Sequence, residues 1–310
     1  LIERDPADMH RRMAREFARI EVRYPTKDVE LLSAYGRQRA ALTEDRIIAL
    51  FADFRHLVPQ GSVMASLGDP YRLASLSNCV VLPSPVDSYG GIFHTDEQLA
   101  QLFKRRCGVG IDLSTLRPEG SAVSNAARTS TGAVSFMERF SNTTREVAQK
   151  GRRGALMLTM DVAHPDILAF ITMKQDLTKV TGANVSVRIS NAFMRAVEAD
   201  GPFTLQWPVD SAKPQVKREV RAREVWDALI DCAHRTAEPG VIFWDHQHRY
   251  STSSVYPGFR NESTNPCSEI AMQGGDSCRL IAINLYCCVK DPFTPQARFD
   301  HEQLHQVTYE

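Results

Sequence analysis

Short apolar runs alternate with helix-periodic segments along most of this chain, and this alternation limits the fold more than any single motif. The runs at 79–82 and 241–244 read as buried strands, 109–113 and 155–160 as strands, and 184–189 alternates as a strand. Between them helical spacing recurs. Thr95 with Gln98 reads as a capping box for a helix over Leu99, Leu102 and Phe103. Val134, Met137, Phe140 and Val147 share a face over 132–149. His164-Pro165 opens a helix through Phe170, Ser190 caps one over 191–198, and another covers 220–236. Strands alternating with helices predict β-α units, a mostly parallel sheet and an α/β class. The run 203–207 is a further strand, at an edge.

The front of the chain differs. Asp5-Pro6 is an N-cap and N1 pair, followed by Met9, Met13, Phe17 and Ile20 at helical spacing. A second helix covers 44–54. Residues 1–60 carry no strand signal, so they are expected to form a helical subdomain before an α/β part at 61–310. The polar stretch 245–270 is too long for an ordinary connection, and such loops are usually functional or disordered.

Apolar residues make up 43%, enough for a sizeable core. Lys plus Arg and Asp plus Glu both number 37, which gives no electrostatic case for nucleic acid or an anionic membrane as partner. No apolar run approaches the roughly 20 residues of a membrane span. There is no G-x-x-x-x-G-K-[ST] and no G-x-G-x-x-G, so nucleotide binding cannot be argued from a phosphate motif. The chain starts at Leu1 and stops at Glu310 inside a helical pattern; a fragment of a longer protein is expected.

The seven cysteines are Cys79, Cys107, Cys232, Cys267, Cys278, Cys287 and Cys288. An odd count without a secretory signal argues against a disulfide scaffold. The absence of C-x-x-C argues against a zinc ribbon. Cys107 and Cys232 lie on apparent helix faces and read as core; Cys287 and Cys288 read as structural or incidental. His246 and His248 lack a third ligand and read as polar loop residues rather than a metal pair. In Ser263-Thr264-Asn265-Pro266-Cys267-Ser268-Glu269-Ile270, an extended backbone would project Asn265, Cys267 and Glu269 to one side. Cys can act as nucleophile or hydrogen-atom relay, Glu as base and Asn as neutral hydrogen-bonding group. On the pattern alone, a solvated loop with an incidental cysteine remains open.

The run STNPCSEI, with SCRLIAINL after it and SNCVVLPSPVDS, RCGVGIDLSTLRPEGS and GRRGALMLTMDVAHPDI before it, resembles the large subunit of ribonucleotide reductase in order and approximate spacing. The likeness covers about residues 5–310. It implies roles for matching residues. Cys267 resembles the thiyl radical that takes the 3′ hydrogen of the ribose. Glu269 resembles the base for the 3′-OH, and Asn265 the group that hydrogen-bonds the ribose hydroxyls. Cys79 and Cys278 resemble the dithiol that reduces the radical intermediate. Ser77 and Asn78 join Asn265, Cys267 and Glu269 as substrate-binding residues. Asp87, Ser88, Ile92 and Arg117 resemble the specificity site for a deoxynucleoside triphosphate or ATP effector. Residues 127–131 match a first effector-reading loop, and Lys150, Arg152 and Arg153 lie in the second.

The resemblance also implies a ten-stranded α/β barrel of two five-stranded halves, with a finger loop at about 260–285; this chain would end before the rest of the barrel, and so would not turn over alone. It further implies a homodimer built on helices 95–107 and 132–149, a ribonucleotide substrate, an external thioredoxin-like dithiol and a cytoplasmic location. Pro266 resembles the adenosylcobalamin-dependent members, where those using a separate metal-containing radical subunit more often have Leu. The latter subclass, a non-catalytic nucleotide-sensing homologue and a thiol-rich metal-binding protein stay as alternatives.

Overall fold

A five-stranded parallel sheet organises the larger of two compact units, residues 78–278. The computed structural model describes residues 3–23, 41–147 and 154–310. The strands run in sequence order: Cys79–Val81, Gly108–Asp112, Leu156–Asp161, Asn184–Ile189 and Gly240–Phe243. The connections contain the helices Tyr89–Phe103, Met137–Glu146, Ile167–Thr172, Asn191–Glu198 and Ala222–Thr236.

The two faces of the sheet differ because strand side chains alternate. On one face Val109, Ile111, Leu156, Leu158, Met160, Val185, Val187 and Ile189 pack with Leu99, Phe103, Met137, Phe140, Phe170 and Leu229 from the helices. The strand register gathers Cys79, Gly108, Gly110, Asp112, Thr159, Asp161, Ser186 and Arg188 on the other face. That face is small or polar apart from Val81, Met157 and Ile242, and a two-stranded hairpin, Ser263–Thr264 with Ala271–Met272, lies against it. The polar members of 184–189 therefore mark a second buried face, not a solvated one; five of the six residues are buried.

Several expectations held. Pro6–Glu21 is helical, with Asp5 accepting from Asp8 N at 2.9 Å. Asn191–Glu198 begins at its Ser190 cap. Cys107 and Cys232 are buried.

Others need correction. The helix expected to start at Thr95 starts at Tyr89, capped by Ser88, whose Oγ accepts from Gly91 N at 3.0 Å. Gly90-Gly91 looks like a turn in sequence, yet Gly91 is required there: a Cβ on it would stand 2.3 Å from Val86 O. Residues 216–221, expected in part as helix, form a strand paired with Pro202–Trp207 in a hairpin outside the main sheet. Gly240–Phe243 is the sheet's edge strand and only partly buried, where a buried run was expected. The polar stretch 245–270 is not a plain loop, since Trp244–Tyr250 is helical and Ser263–Thr264 is a strand.

The second unit comprises residues 1–77 and 279–310. Met13, Ala14, Ile47, Phe51 and Leu67 form its core. Contrary to the all-helical expectation for 1–60, Leu57–Pro59 is a strand, paired antiparallel with Ile281–Ile283.

Candidate active site

Three cysteines from distant segments meet at the amino-terminal edge of the polar sheet face. Residues 275–278 run antiparallel beside Cys79–Val81, with Val80 opposite Ser277. In that register Cys79 faces Cys278, and Cys278 N donates to Cys79 O at 3.0 Å. Hydrogen-bonded antiparallel pairs have Cα atoms about 5.5 Å apart, inside the range that a disulfide spans. The two side chains are hydrogen-bonded, and both sulfurs are free thiols. They sit in a small apolar cluster with Val81, Ile270 and Met272.

Cys267 is carried to the pair by the hairpin. Two glycines of the strand Gly108–Asp112 let it approach. A Cβ on Gly110 would stand 1.7 Å from Thr264 O, and one on Gly108 would stand 3.0 Å from Pro266 Cγ. The tip is not the extended segment that the i, i+2 argument requires. Asn265 N donates to Ile270 O at 3.1 Å, Ser268 N donates to Asn265 O at 3.0 Å, and Ser268 has φ 71°. This tight turn separates the three side chains: Asn265 is fully buried, while Cys267 and Glu269 are exposed. Asn265 Oδ1 accepts from Ile270 N at 3.1 Å, so the carboxamide staples the turn. Its Nδ2 is buried with no partner among the described residues.

The Cys79 and Cys267 thiols are both biased toward their protonated forms. Burial, then the charge and hydrogen bond of Cys278, then Cys267 and Cys107, push the Cys79 thiol far above its ordinary value. Packing around the Cys267 sulfur, then the Glu269 carboxylate and Cys278, push that thiol upward too. Thiolate, not thiol, reacts with alkylating agents. A raised pKa keeps the thiol protonated at and above the usual thiol pKa of about 8.5. Iodoacetamide time courses with peptide mapping should therefore show Cys79 reacting at least ~10-fold more slowly than an unstructured cysteine at about pH 8. Equal rates would contradict a protonated Cys79 thiol.

Sequence reasoning missed the charges that anchor the hairpin. Arg188 Nη1 donates to Glu262 O at 2.7 Å, Arg188 Nε lies 3.2 Å from Asp112 Oδ2, and Nη2 lies 3.4 Å from Asp161 Oδ2. Thr159 Oγ1 donates to Asp112 at 2.9 Å and lies 3.0 Å from Ser263 Oγ. The Arg188 guanidinium is 4.6 Å from the Trp244 ring centroid. Asp112, Asp161, Arg188, Trp244 and Glu262 line a cavity of about 530 Å³ at the carboxyl ends of the strands. The available signal was a charge inside an otherwise apolar strand, as in GVGID and NVSVRI.

The expected effector residues meet elsewhere in the same unit. Asp87, Ser88, Ile92 and Arg117 line one cavity of about 230 Å³. Arg117 donates to Asp87 through Nε at 2.7 Å and through its backbone N at 3.0 Å. Tyr89, Asn125 and Phe136, not singled out from the sequence, share the lining. Asn78 opens the strand segment at Cys79, with its carbonyl accepting from Gly108 N at 2.6 Å. Ser77 belongs to the other unit, where its N donates to Ser75 Oγ at 3.0 Å. Lys150, Arg152 and Arg153 lie outside the described residues. No helix of the described residues is long and apolar enough to cross a membrane.

Comparison with known proteins places the chain in a family. Residues 77–309 match the family model described as ribonucleotide reductase, barrel domain. The chain is 35% identical over 266 residues to the vitamin B12-dependent ribonucleoside-diphosphate reductase of Mycobacterium tuberculosis, covering 85% of this chain and 36% of that protein. It is 37% identical over 254 residues to the protein of the same name from Thermoplasma acidophilum, covering 81% and 32%. Against the ribonucleoside-diphosphate reductase large subunit of Caenorhabditis elegans it is 26% identical over 264 residues, covering 75% and 32%. The chain thus spans about a third of the length of the curated relatives it matches. With the family model covering three quarters of its length, this chain belongs to the ribonucleotide reductase family.

Proposed function

We propose that the full-length protein reduces ribonucleotides to 2′-deoxyribonucleotides and that this chain supplies the thiols for the reaction. The meeting of Cys79, Cys278 and Cys267 from three separate segments carries this reading.

The division of labour follows from the positions. A thiyl radical at Cys267 takes the 3′ hydrogen, and Glu269, whose charge acts on the Cys267 sulfur, takes the 3′-OH proton. The buried, unpartnered Nδ2 of Asn265 donates to a ribose hydroxyl, and Ser77 and Asn78 help to seat the substrate. The 2′-OH leaves as water with a proton from the Cys79/Cys278 pair. That pair supplies both reducing electrons and closes to a disulfide, while the 3′ hydrogen returns from Cys267. The raised pKa of Cys79 suits this role, because a protonated S–H is the donor that the step consumes.

The exposed Cys267 thiol fits a radical generator that acts from outside the hairpin. Pro266 and the relatives named vitamin B12-dependent favour adenosylcobalamin. When bound, that group would supply the unpaired electron that Cys267 carries. A thioredoxin-like dithiol then reopens the Cys79–Cys278 disulfide.

In this reading the five parallel strands are half of a ten-stranded barrel, and the 263–272 hairpin is the tip of its finger loop. The 230 Å³ cavity takes a dNTP or ATP effector between Asp87, Ser88, Ile92 and Arg117, with Lys150, Arg152 and Arg153 in the second effector loop. The helices Tyr89–Phe103 and Met137–Glu146 form the surface of a cytoplasmic homodimer.

The test is turnover of the full-length protein with ribonucleoside di- and triphosphates, a dithiol and adenosylcobalamin, without a second subunit. Deoxyribonucleotide is the expected product. Activity only with a metal-containing partner subunit would overturn the cofactor, and no activity with either would overturn the reductase reading.

A further inference from the structure

One thiol pair takes no part in this chemistry. Cys287 and Cys288 end the short turn Leu285–Cys288 in the unit made of residues 1–77 and 279–310. Asn284 fixes the turn's entry: its Oδ1 accepts from Tyr286 N at 3.2 Å, its Nδ2 donates to Phe54 O at 3.1 Å, and its backbone N donates to His56 O at 2.9 Å. Asp300 N donates to Cys288 O at 2.6 Å and holds the exit. Neighbouring side chains in a strand point to opposite faces. Here the backbone turns, and the two sulfurs stand 3.7 Å apart. Cys288 is fully buried and Cys287 half-buried, so the pair opens to solvent through Cys287.

We propose that Cys287 and Cys288 form a chelating dithiol site for a trivalent thiophilic metalloid, arsenic(III) being the prototype. Two sulfurs bound at roughly 2.3 Å to one pyramidal centre with an angle of ~95° stand about 3.4 Å apart, so the observed pair must close by only a few tenths of an ångström to chelate it. Among the described residues no three His, Cys, Asp or Glu side chains gather into a metal site. That disfavours four-coordinate zinc and suits a centre satisfied by two protein sulfurs and one substituent of its own.

The bond changes balance without any redox step. Each S–H condenses with one As–OH; two S–As bonds form, two S–H and two As–O bonds break, and two waters leave. The protons depart with the hydroxides, so no thiolate need accumulate.

The sequence provides a clean readout. Tryptic cleavage after Arg279 and Lys290 releases residues 280–290, in which Cys287 and Cys288 are the only cysteines. The folded full-length protein is exposed to phenylarsine oxide with a monothiol present, then unfolded, alkylated, digested and mapped by mass spectrometry. One phenylarsenic bridging the 280–290 peptide is expected at a phenylarsine oxide concentration at least tenfold below that needed to bridge a synthetic 280–290 peptide. Cys287→Ser should lose the bridge. Free alkylation of both cysteines after exposure of the folded protein would overturn the site, and so would equal affinity of the isolated peptide.

Discussion

Cys267→Ser in the full-length protein is expected to lower deoxyribonucleotide formation at least ~1000-fold, equivalent to about 4 kcal/mol of lost transition-state stabilisation. The reason is bond strength. A hydroxyl can copy the size and hydrogen bonding of the thiol, but its O–H bond is too strong to relay a hydrogen atom. Cys267 is exposed at a hairpin tip, and substitutions at such positions usually change stability by less than about 0.5 kcal/mol. Circular dichroism and the thermal midpoint should therefore match the parent. Loss of turnover with an intact fold supports the radical role; undiminished turnover would rule out Cys267 as the radical carrier.

Gly110→Ala is the second large effect, and it acts without touching substrate. The added Cβ would need to occupy a point 1.7 Å from Thr264 O, where both sides are backbone. The sheet cannot yield easily, because Val109 and Ile111 beside Gly110 are fully buried against the helices. The hairpin must lift instead, by more than ~1 Å, and a shift of that size can cost about 100-fold in rate. Turnover should fall by about that factor, with Cys267 displaced from the thiol pair and the helical content retained. Unchanged activity would mean that the hairpin does not depend on this close approach.

Local signals in the sequence survived folding, and signals that depend on a distant partner did not. Ser190 and Asp5 were legible as caps because each side chain bonds a backbone N–H three residues away. Ser88 makes the same bond, but the glycines that follow it look like a turn until Val86 O is seen against Gly91. The strand 216–221 was hidden because it is mostly exposed and rich in Lys, Arg and Glu. In the site, the cysteines and the Asn-x-Cys-x-Glu spacing were legible as residue types. The projection of Asn265, Cys267 and Glu269 to one side was not correct, since the turn closed by Asn265 buries one and exposes two. Arg188 could be seen as a charge in an apolar strand, yet nothing in the sequence joins it to Glu262, 74 positions away.

The most direct measurement is thiol mapping after a single turnover. Full-length protein is reduced, freed of external dithiol, and given adenosylcobalamin and a ribonucleotide; it is then quenched in acid, alkylated and digested. The account predicts a disulfide joining Cys79 to Cys278 in amount equal to the deoxyribonucleotide formed, with Cys267 still open to alkylation. Product formed while Cys79 and Cys278 both remain thiols, or Cys267 found within the disulfide, would contradict it.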